Sequence, residues 1–222
     1  MDLSGDQNEY NALELKGASF RNDRLDHKVF TSCGFIKCSF REATFSYCKF
    51  NNCTFRHCDL SLVTLKECSF QNTIFEDTQM VGVNWIDTNL AQMKHVFAKP
   101  VDFIKCVLNH STFMGLNLKN VRLTQCIARD VSFEEADLGH ANCTFTDFTD
   151  SRFLHSNLTE ADFTGATNYS IAASLNTLKK TKFSLPEAMS LLYNLDIVIT
   201  EYQSLDREDD ISPPGLPQNL RF

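Results

Sequence analysis

Large apolar residues recur at every fifth position along most of the chain. The first run holds sixteen of them: Leu15, Phe20, Leu25, Phe30, Phe35, Phe40, Phe45, Phe50, Phe55, Leu60, Leu65, Phe70, Phe75, Met80, Trp85 and Leu90. The period breaks there, resumes at Phe103 and continues to Phe163. Fifteen of the 19 phenylalanines fall in these two runs, so one repeating unit governs the sequence.

A second set of residues stands two positions before each large one and is mostly small or β-branched. It includes eight of the nine cysteines: Cys33, Cys38, Cys48, Cys53, Cys58, Cys68, Cys106 and Cys126. A helix would repeat its apolar residues every 3.6 positions and a strand every two, so neither fits. The unit predicts a chain that turns a corner every five residues. Four corners close a square coil of about 20 residues, and coils stack like strands ~4.8 Å apart.

The units themselves resemble those of a known family. Residues 48–52 (CKFNN), 53–57 (CTFRH) and 161–165 (ADFTG) are similar to the repeats of the pentapeptide-repeat family, whose pattern is roughly A(D/N)LXX. The resemblance covers about residues 15–166. It implies an all-β fold, a right-handed quadrilateral β-helix, here of about seven coils.

The chain divides into four expected segments. Residues 1–14 are a polar N-terminal lead-in and 15–166 form the β-helix. Residues 167–202 form a C-terminal capping and dimerisation segment, and the acidic, proline-containing tail 203–222 is expected to be disordered.

Two local signals refine these segments. The step from Leu90 to Phe103 is not a multiple of five, so a loop at 91–102 must bulge from a corner. Ser184 and Glu187 have the spacing of a capping box, which predicts a short C-terminal helix. Residues 197–199 (IVI) then predict a short strand.

Nothing in the sequence favours catalysis or a cofactor. It contains no P-loop, no GxGxxG, no GxSxG and no HExxH motif. Five of the six histidines take outward positions that do not converge, which argues against a metal or catalytic cluster. The inward cysteines are expected to be reduced core thiols. We therefore expect no enzymatic activity, no cofactor and no metal.

The overall charge limits the choice of partners. The net charge is −7, which disfavours direct binding to nucleic acid or to an anionic membrane. No stretch reaches the ~20 apolar residues needed to span a bilayer. The first residues lack the basic and apolar regions of a secretory signal, so a cytoplasmic location is expected.

Negative charge is concentrated in residues 130–166, which contain eight acidic residues and one basic residue, Arg152. By register all eight point outward: Asp130, Glu134, Glu135, Asp137, Asp147, Asp150, Glu160 and Asp162. They are either an ordinary solvated surface or a surface that binds a basic partner.

Within the family, the chain is most similar to the topoisomerase-protecting branch, which includes the Qnr quinolone-resistance proteins and the microcin and albicidin self-protection proteins. The stretch 80–85 (MVGVNW), the break that follows it, and 168–170 (NYS) before a short helix carry this similarity. It implies an acidic rod that mimics DNA, binds DNA gyrase or topoisomerase IV and protects the enzyme from poisons. The loop, with Lys94, His95 and Lys99, would then touch the enzyme.

The same resemblance implies a homodimer joined through the C-terminal segment. The apolar side chains of that segment exceed what the cap of one coil requires, and a free strand edge would otherwise be exposed. The expected dimerisation residues are Leu185, Leu191, Leu192, Leu195, Ile197 and Ile199. The alternative is an interaction scaffold with an unrelated protein partner.

Overall fold

The computed structural model describes residues 3, 5–92, 101–193, 195, 197, 198 and 200. Almost all regular structure is short strand. The strands are β1 (Glu9–Asn11), β2 (Glu14–Lys16), β3 (Arg24–Asp26), β4 (Val29–Thr31), β5 (Gly34–Ile36), β6 (Thr44–Ser46), β7 (Lys49–Asn51), β8 (Thr54–Arg56), β9 (Thr64–Lys66), β10 (Ser69–Gln71), β11 (Thr73–Glu76), β12 (Val101–Ile104), β13 (Leu123–Thr124), β14 (Arg152–Phe153), β15 (Asp162–Phe163), β16 (Ser170–Ile171) and β17 (Lys182–Phe183). Three short 3₁₀ helices span Asn89–Gln92, Ala173–Leu175 and Glu187–Leu192.

Every strand pairs in parallel with the strand one coil away. The sheets run β1-β4-β7-β10, β2-β5-β8-β11-β12-β13 and β3-β6-β9, and single bridges such as Ser39↔Asp59 complete the fourth side. Partners in the N-terminal half are separated by four of the five-residue units, as in Phe30↔Phe50. The predicted quadrilateral β-helix is therefore confirmed. It has about eight coils and a length of roughly 38 Å at ~4.8 Å per coil.

The large apolar residues form stacked columns along the axis of the rod. The rings of Phe30, Phe50 and Phe70 lie parallel with successive centroids 5.1 and 5.0 Å apart. Rings of adjacent columns meet edge to face, as Phe35 and Phe40 do at 5.6 Å. Such offset and T-shaped pairs are the arrangements that aromatic rings favour. The core is therefore a continuous stack in which each coil buries the next.

The corners depend on an unusual backbone conformation. Among the described residues, twenty-six non-glycine ones have φ between 48° and 61°, and nearly all stand two positions after a large core residue. Their N–H groups bond to the next coil, for example from Asn52 N to Gln71 O at 2.8 Å. A left-handed residue costs roughly 1–2 kcal/mol, so these ladder bonds and the core must offset that cost at every corner.

Aspartate and asparagine just before the large residue have a structural role. The side-chain oxygen of Asp59 accepts from Ser61 N at 2.9 Å, and Asn142 and Asn157 bond in the same way to the residue two positions on. These bonds satisfy N–H groups at the start of the corner, as in an Asx turn. The D/N of the repeat pattern therefore holds the corner.

The loop leaves the register of the coils intact. Phe75 pairs with Phe103 and Gln79 bridges to Val107, so this coil is longer than its neighbours and still pairs in register with them. The additional residues fall between Leu90 and Val101. Val101 and Asp102, expected at the end of the loop 91–102, belong instead to β12, because they pair with Thr73 and Ile74.

A buried lysine closes the N-terminal end. Lys28 occupies an inward position and is 5% exposed. Its Nζ donates to Gly5 O at 2.6 Å, Gln7 O at 2.8 Å and Asn8 Oδ1 at 3.0 Å. Leu3 is fully buried beside the first coil. The polar lead-in thus covers the open end of the rod.

The C-terminal end departs from the sequence expectation. The ladder continues beyond Ala166 as far as Phe183, which pairs with Phe163. The capping box is wrong: Ser184 Oγ accepts from Gly165 N and Glu187 Oε1 accepts from Asn168 N, so both side chains bind the last complete coil. The helix that follows is a 3₁₀ helix of six residues, Glu187–Leu192.

The strand expected at 197–199 is not observed where the structure describes it. Ile197 and Val198 lie outside any strand and are 53% and 89% exposed. Ile199 lies outside the described residues. Nothing pairs with Ile197 or Val198 among the described strands, so these two side chains face solvent.

Phe50→Asp should abolish cooperative folding. The substitution places an unpaired charge between two stacked rings, at a cost of at least about 5 kcal/mol, comparable with the whole stability of a domain. Asn51→Asp, one residue further and directed outward, should cost less than about 1 kcal/mol. Circular dichroism and urea unfolding measure both. Equal effects at the two positions would refute the inward and outward assignment.

Candidate partner-binding surface

The predicted site residues occupy separate parts of the rod. The eight acidic residues lie on its C-terminal coils, on all four sides. Lys94, His95 and Lys99 lie outside the described residues, as does Ile199. In sequence the first three lie between Leu90 and Val101, two residues that the structure places in the middle of the rod.

Three of the eight acidic residues act as corner acceptors. Asp137 accepts from Gly139 N at 2.9 Å and from Asn157 Nδ2 at 2.8 Å. Asp162 accepts from Thr164 N at 2.9 Å and pairs with Lys182 at 3.1 Å. Asp147 makes the most bonds of the three. These carboxylates are partly covered and each already accepts at least two hydrogen bonds.

The carboxylate of Asp147 joins three coils. It accepts from Arg129 Nε at 2.8 Å, from Thr149 Oγ1 at 2.6 Å and from Asn168 Nδ2 at 2.9 Å. Partial burial acts to raise its pKa, but these hydrogen bonds prevail and lower the pKa of Asp147 to about 2. Asn168 N in turn donates to Glu187. Through Asn168, Asp147 therefore connects the C-terminal 3₁₀ helix to the coils.

Three further acidic residues form ion pairs at the surface. Asp130 lies 2.9 Å from His110 Nδ1 and 3.1 Å from Arg152, and the hydrogen bond from His110 is the main cause of its lowered pKa. Arg152 also reaches Glu134 at 3.4 Å. Glu160 lies 3.2 Å from His140. Exposed pairs of this kind contribute little to stability.

Only two of the eight side chains, Glu135 and Asp150, are exposed without an ion pair among the described residues. The charge of residues 130–166 does not include two of the basic partners, because Arg129, which pairs with Asp147, and Lys182, which pairs with Asp162, lie outside that range. Neighbours on adjacent coils are about 20 residues apart in sequence. The acidic surface is thus more nearly balanced than its sequence indicates.

The C-terminal end presents an apolar surface. Leu185 is 73% exposed and Tyr193 is 76% exposed, and Leu195 and Ile197 are also exposed. Leu191 instead packs against the core, and Leu192 is half-buried. Of the expected dimerisation residues, Leu191 therefore caps the last coil, while Leu185, Leu195 and Ile197 are free to contact a partner.

A shallow cleft of about 360 Å³, which the sequence did not indicate, lies next to the root of the loop. It is lined by Asn52, Asn72, Thr73, Ile74, Val101, Asp102 and Arg122. Asp102 is 4% exposed and is held by Arg122 through Nε at 2.8 Å and Nη2 at 2.7 Å. This pair, in which the aspartate is buried and the arginine is partly exposed, fixes the point where the chain re-enters the coils.

The family model described as "Pentapeptide repeat region" matches residues 28–99 and 94–163, more than half of the chain. The chain is a pentapeptide-repeat protein. No curated protein sequence matches it significantly.

Among solved structures, this pentapeptide-repeat protein is similar to QnrB1, a plasmid-mediated fluoroquinolone resistance protein. A trypsin-treated variant of QnrB1 matches with a TM-score of 0.64 and 18% identity over 86% of this chain and 100% of that one. Full-length QnrB1 matches with a TM-score of 0.59 and 19% identity over 85% and 100%. At such identities the likeness shows a shared fold.

The described part of this pentapeptide-repeat protein lacks two further kinds of feature. No helix there is long and apolar enough to cross a bilayer. Within the same residues, no group of three or more His, Cys, Asp or Glu side chains is placed to hold a metal ion.

Asp147→Asn should lower the free energy of unfolding at pH 7 by about 1–2 kcal/mol, because the pKa of the carboxyl is about 2 when folded and about 3.9 when unfolded. A lowered folded pKa stabilises the fold above about pH 4 and loses that effect as the pH falls through about 2. The difference between variant and wild type in urea unfolding should therefore narrow from pH 4 to pH 2.

Asp150→Asn is the matched control, since its side chain is exposed at a corner of the same coil. It should leave stability within about 0.5 kcal/mol of the wild type at every pH. A loss at Asp150 equal to that at Asp147 would contradict the role given to the hydrogen bonds of Asp147.

Proposed function

We propose that this protein is a non-enzymatic binding protein that docks on a type II topoisomerase, DNA gyrase or its relative, and protects it from quinolone-like poisons. The observation that carries the proposal is the match of the coils to the whole length of QnrB1, a fluoroquinolone resistance protein. Such a target implies a cytoplasmic location. The surface of the rod is convex, which suits binding better than catalysis.

The proposed assembly is a homodimer joined at the C-terminal ends. Leu185, Leu195 and Ile197 supply an exposed apolar surface at that end. Two rods of roughly 38 Å would span ~76 Å, similar to about 22 base pairs at 3.4 Å rise.

The acidic coils would lie next to the centre of that dimer. Glu135 and Asp150 are the charges that remain available to a basic surface, and the attraction should weaken with salt because exposed charges are screened. The loop would project partway along each arm. In this proposal Lys94, His95 and Lys99 contact the enzyme near bound drug.

One observation favours the alternative, a scaffold with an unrelated protein partner. Six of the eight acidic side chains are already engaged within the rod by ion pairs or by corner hydrogen bonds. A rod that keeps only two of these eight carboxylates free for a basic partner is a weaker mimic of DNA. Its partner would then recognise the apolar end or the cleft beside the loop.

A supercoiling assay with purified gyrase and ciprofloxacin separates the two functions. The protein should restore supercoiling in the presence of drug, and deletion of residues 92–100 should reduce protection while the dimer persists. If the protein neither protects nor binds gyrase at low salt, the topoisomerase proposal is wrong and the scaffold is favoured.

Two double variants test how much the charge of the acidic coils contributes to gyrase binding. Glu135→Gln with Asp150→Asn should weaken gyrase binding several-fold at low salt and less at high salt. Glu67→Gln with Asp77→Asn changes two exposed corners of the N-terminal coils and removes the same charge. If both double variants lose affinity equally, binding responds to net charge and the acidic coils have no special part.

Light scattering tests the dimer directly. The wild type should give twice the mass of one chain, which is 25.3 kDa. Val198→Asp should give monomers, because it places a charge in the apolar end. Ile86→Asp, at an exposed apolar position far from that end, should stay dimeric. A wild-type mass equal to that of a single chain would exclude the assembly.

A further inference from the structure

One corner of the C-terminal coils carries an aromatic ring that points into solvent. Phe145 is 63% exposed, and among the described residues it is the one phenylalanine whose side chain is exposed. Its φ is 57°, a conformation that is unusual for a bulky residue. The same corner of the two preceding coils carries the polar residues Lys105 and Gln125. The coils therefore fold without an aromatic side chain at this corner.

Gly165 lets the ring of Phe145 lie against the backbone of the following coil. A Cβ added at Gly165 would lie 2.6 Å from Cδ1 and Cε1 of Phe145. Two carbon atoms in contact lie about 3.5–4.0 Å apart, so any larger residue at position 165 would displace the ring. Because Gly165 belongs to the next coil, the ring leans toward the C-terminal end of the rod.

Leu185 continues this apolar surface to the end of the rod. Gly165 N donates to Ser184 Oγ at 2.9 Å, so the next residue, Leu185, comes beside Gly165 on the following coil. Its side chain is exposed. Phe145, Gly165 and Leu185 together form the Phe145 strip, which is two coil steps long, ~10 Å. The strip is continuous with the apolar C-terminal end.

The same end carries two further apolar side chains that face solvent. Ile197 and Val198 are exposed and lie outside any described strand. Phe145 is exposed in the same copy, so these two residues do not cover the strip of their own chain. In a two-fold symmetric contact, each copy presents the same surface and must supply both halves of it. This chain carries both halves at one end: the strip and the apolar pair that can cover it.

We propose that the occupant of the Phe145 strip is a second copy of this chain, whose Ile197 and Val198 pack on the ring of Phe145. The inference rests on the homodimer of the proposed function and extends its contact onto the side of the last coils. An end-to-end contact between two four-sided rods leaves their rotation about the common axis open. A contact at one corner fixes that rotation, so the strip sets how the two rods are oriented.

Sedimentation velocity measures what Phe145 contributes to the dimer. Phe145→Gln introduces the residue that Gln125 already provides at the same corner one coil earlier, so the coils should fold as before. The loss of a buried aromatic ring should raise the dissociation constant of the dimer about tenfold to a hundredfold. Trp85 is fully buried, and its emission should remain that of the folded chain.

Leu62→Gln is the matched control. Leu62 is also exposed at a corner, with φ of 59°, and its Cδ2 would lie 2.7 Å from a Cβ added at Gly82 on the next coil. It therefore repeats the arrangement of Phe145 and Gly165, but in the N-terminal half of the rod. This variant should change the dissociation constant of the dimer by less than about twofold.

Cross-linking between copies tests which segment covers the strip. Phe145→Cys and Val198→Cys are prepared in two differently tagged copies of the full chain, mixed under reducing conditions and treated with a short bis-maleimide. The nine native cysteines are buried, so the introduced thiols should react first. We expect a cross-linked pair that carries both tags. Leu62→Cys mixed with Val198→Cys should give none.

The results separate this inference from the homodimer itself. A wild type that stays a single chain at every concentration overturns both. A stable dimer that Phe145→Gln leaves unchanged, or that Leu62→Gln weakens equally, overturns only the inference. So does a stable dimer without the mixed cross-link. If Phe145→Gln leaves the dimer intact and weakens binding to purified gyrase, the strip binds that enzyme and the inference is wrong.

Discussion

Every coil of this rod depends on a corner in which a residue adopts the left-handed conformation. The corner fixes the width of the coil, and a constant width is what lets carbonyl and N–H groups of successive coils meet. Asn52 shows the link, because its strained backbone donates to Gln71 O on the next coil. Five-residue spacing, aromatic stacking and the buried cysteine columns all follow once the corners repeat.

The sequence was sufficient for the fold because the repeat is one-dimensional. Each position in the unit has one environment, so Phe50 and Cys53 are predicted to be buried by counting alone. The prediction failed where the repeat weakens. Phe153 pairs with Ile171, a spacing that is not a multiple of five, so the last coil escapes a search for that period. Ser184 and Glu187 likewise resembled a cap because their true partners lie in the coil before them.

The candidate surface was less predictable for a related reason. Charges that are distant in sequence become neighbours across the coils, so Arg129 and Lys182 neutralise carboxylates that a local count leaves unpaired. In the sequence, aspartates that hold corners look the same as aspartates that only carry surface charge. Asp137 and Asp162 are of the first kind. What remains distinctive is a division along the rod: aromatic rings and paired thiols dominate the N-terminal coils, and carboxylates the C-terminal ones.

The buried ammonium of Lys28 gives the rod a direction. A stack of coils with two open ends would add further copies at both and grow into a fibre. Here the N-terminal end is closed by a charge whose three acceptors belong to its own chain, so a second copy gains nothing by stacking there. The exposed apolar side chains lie at the other end, and in the proposed dimer each copy covers that end of its partner. Lys28 and the lead-in that it holds thus disfavour the addition of a second copy at the N-terminal end of the rod.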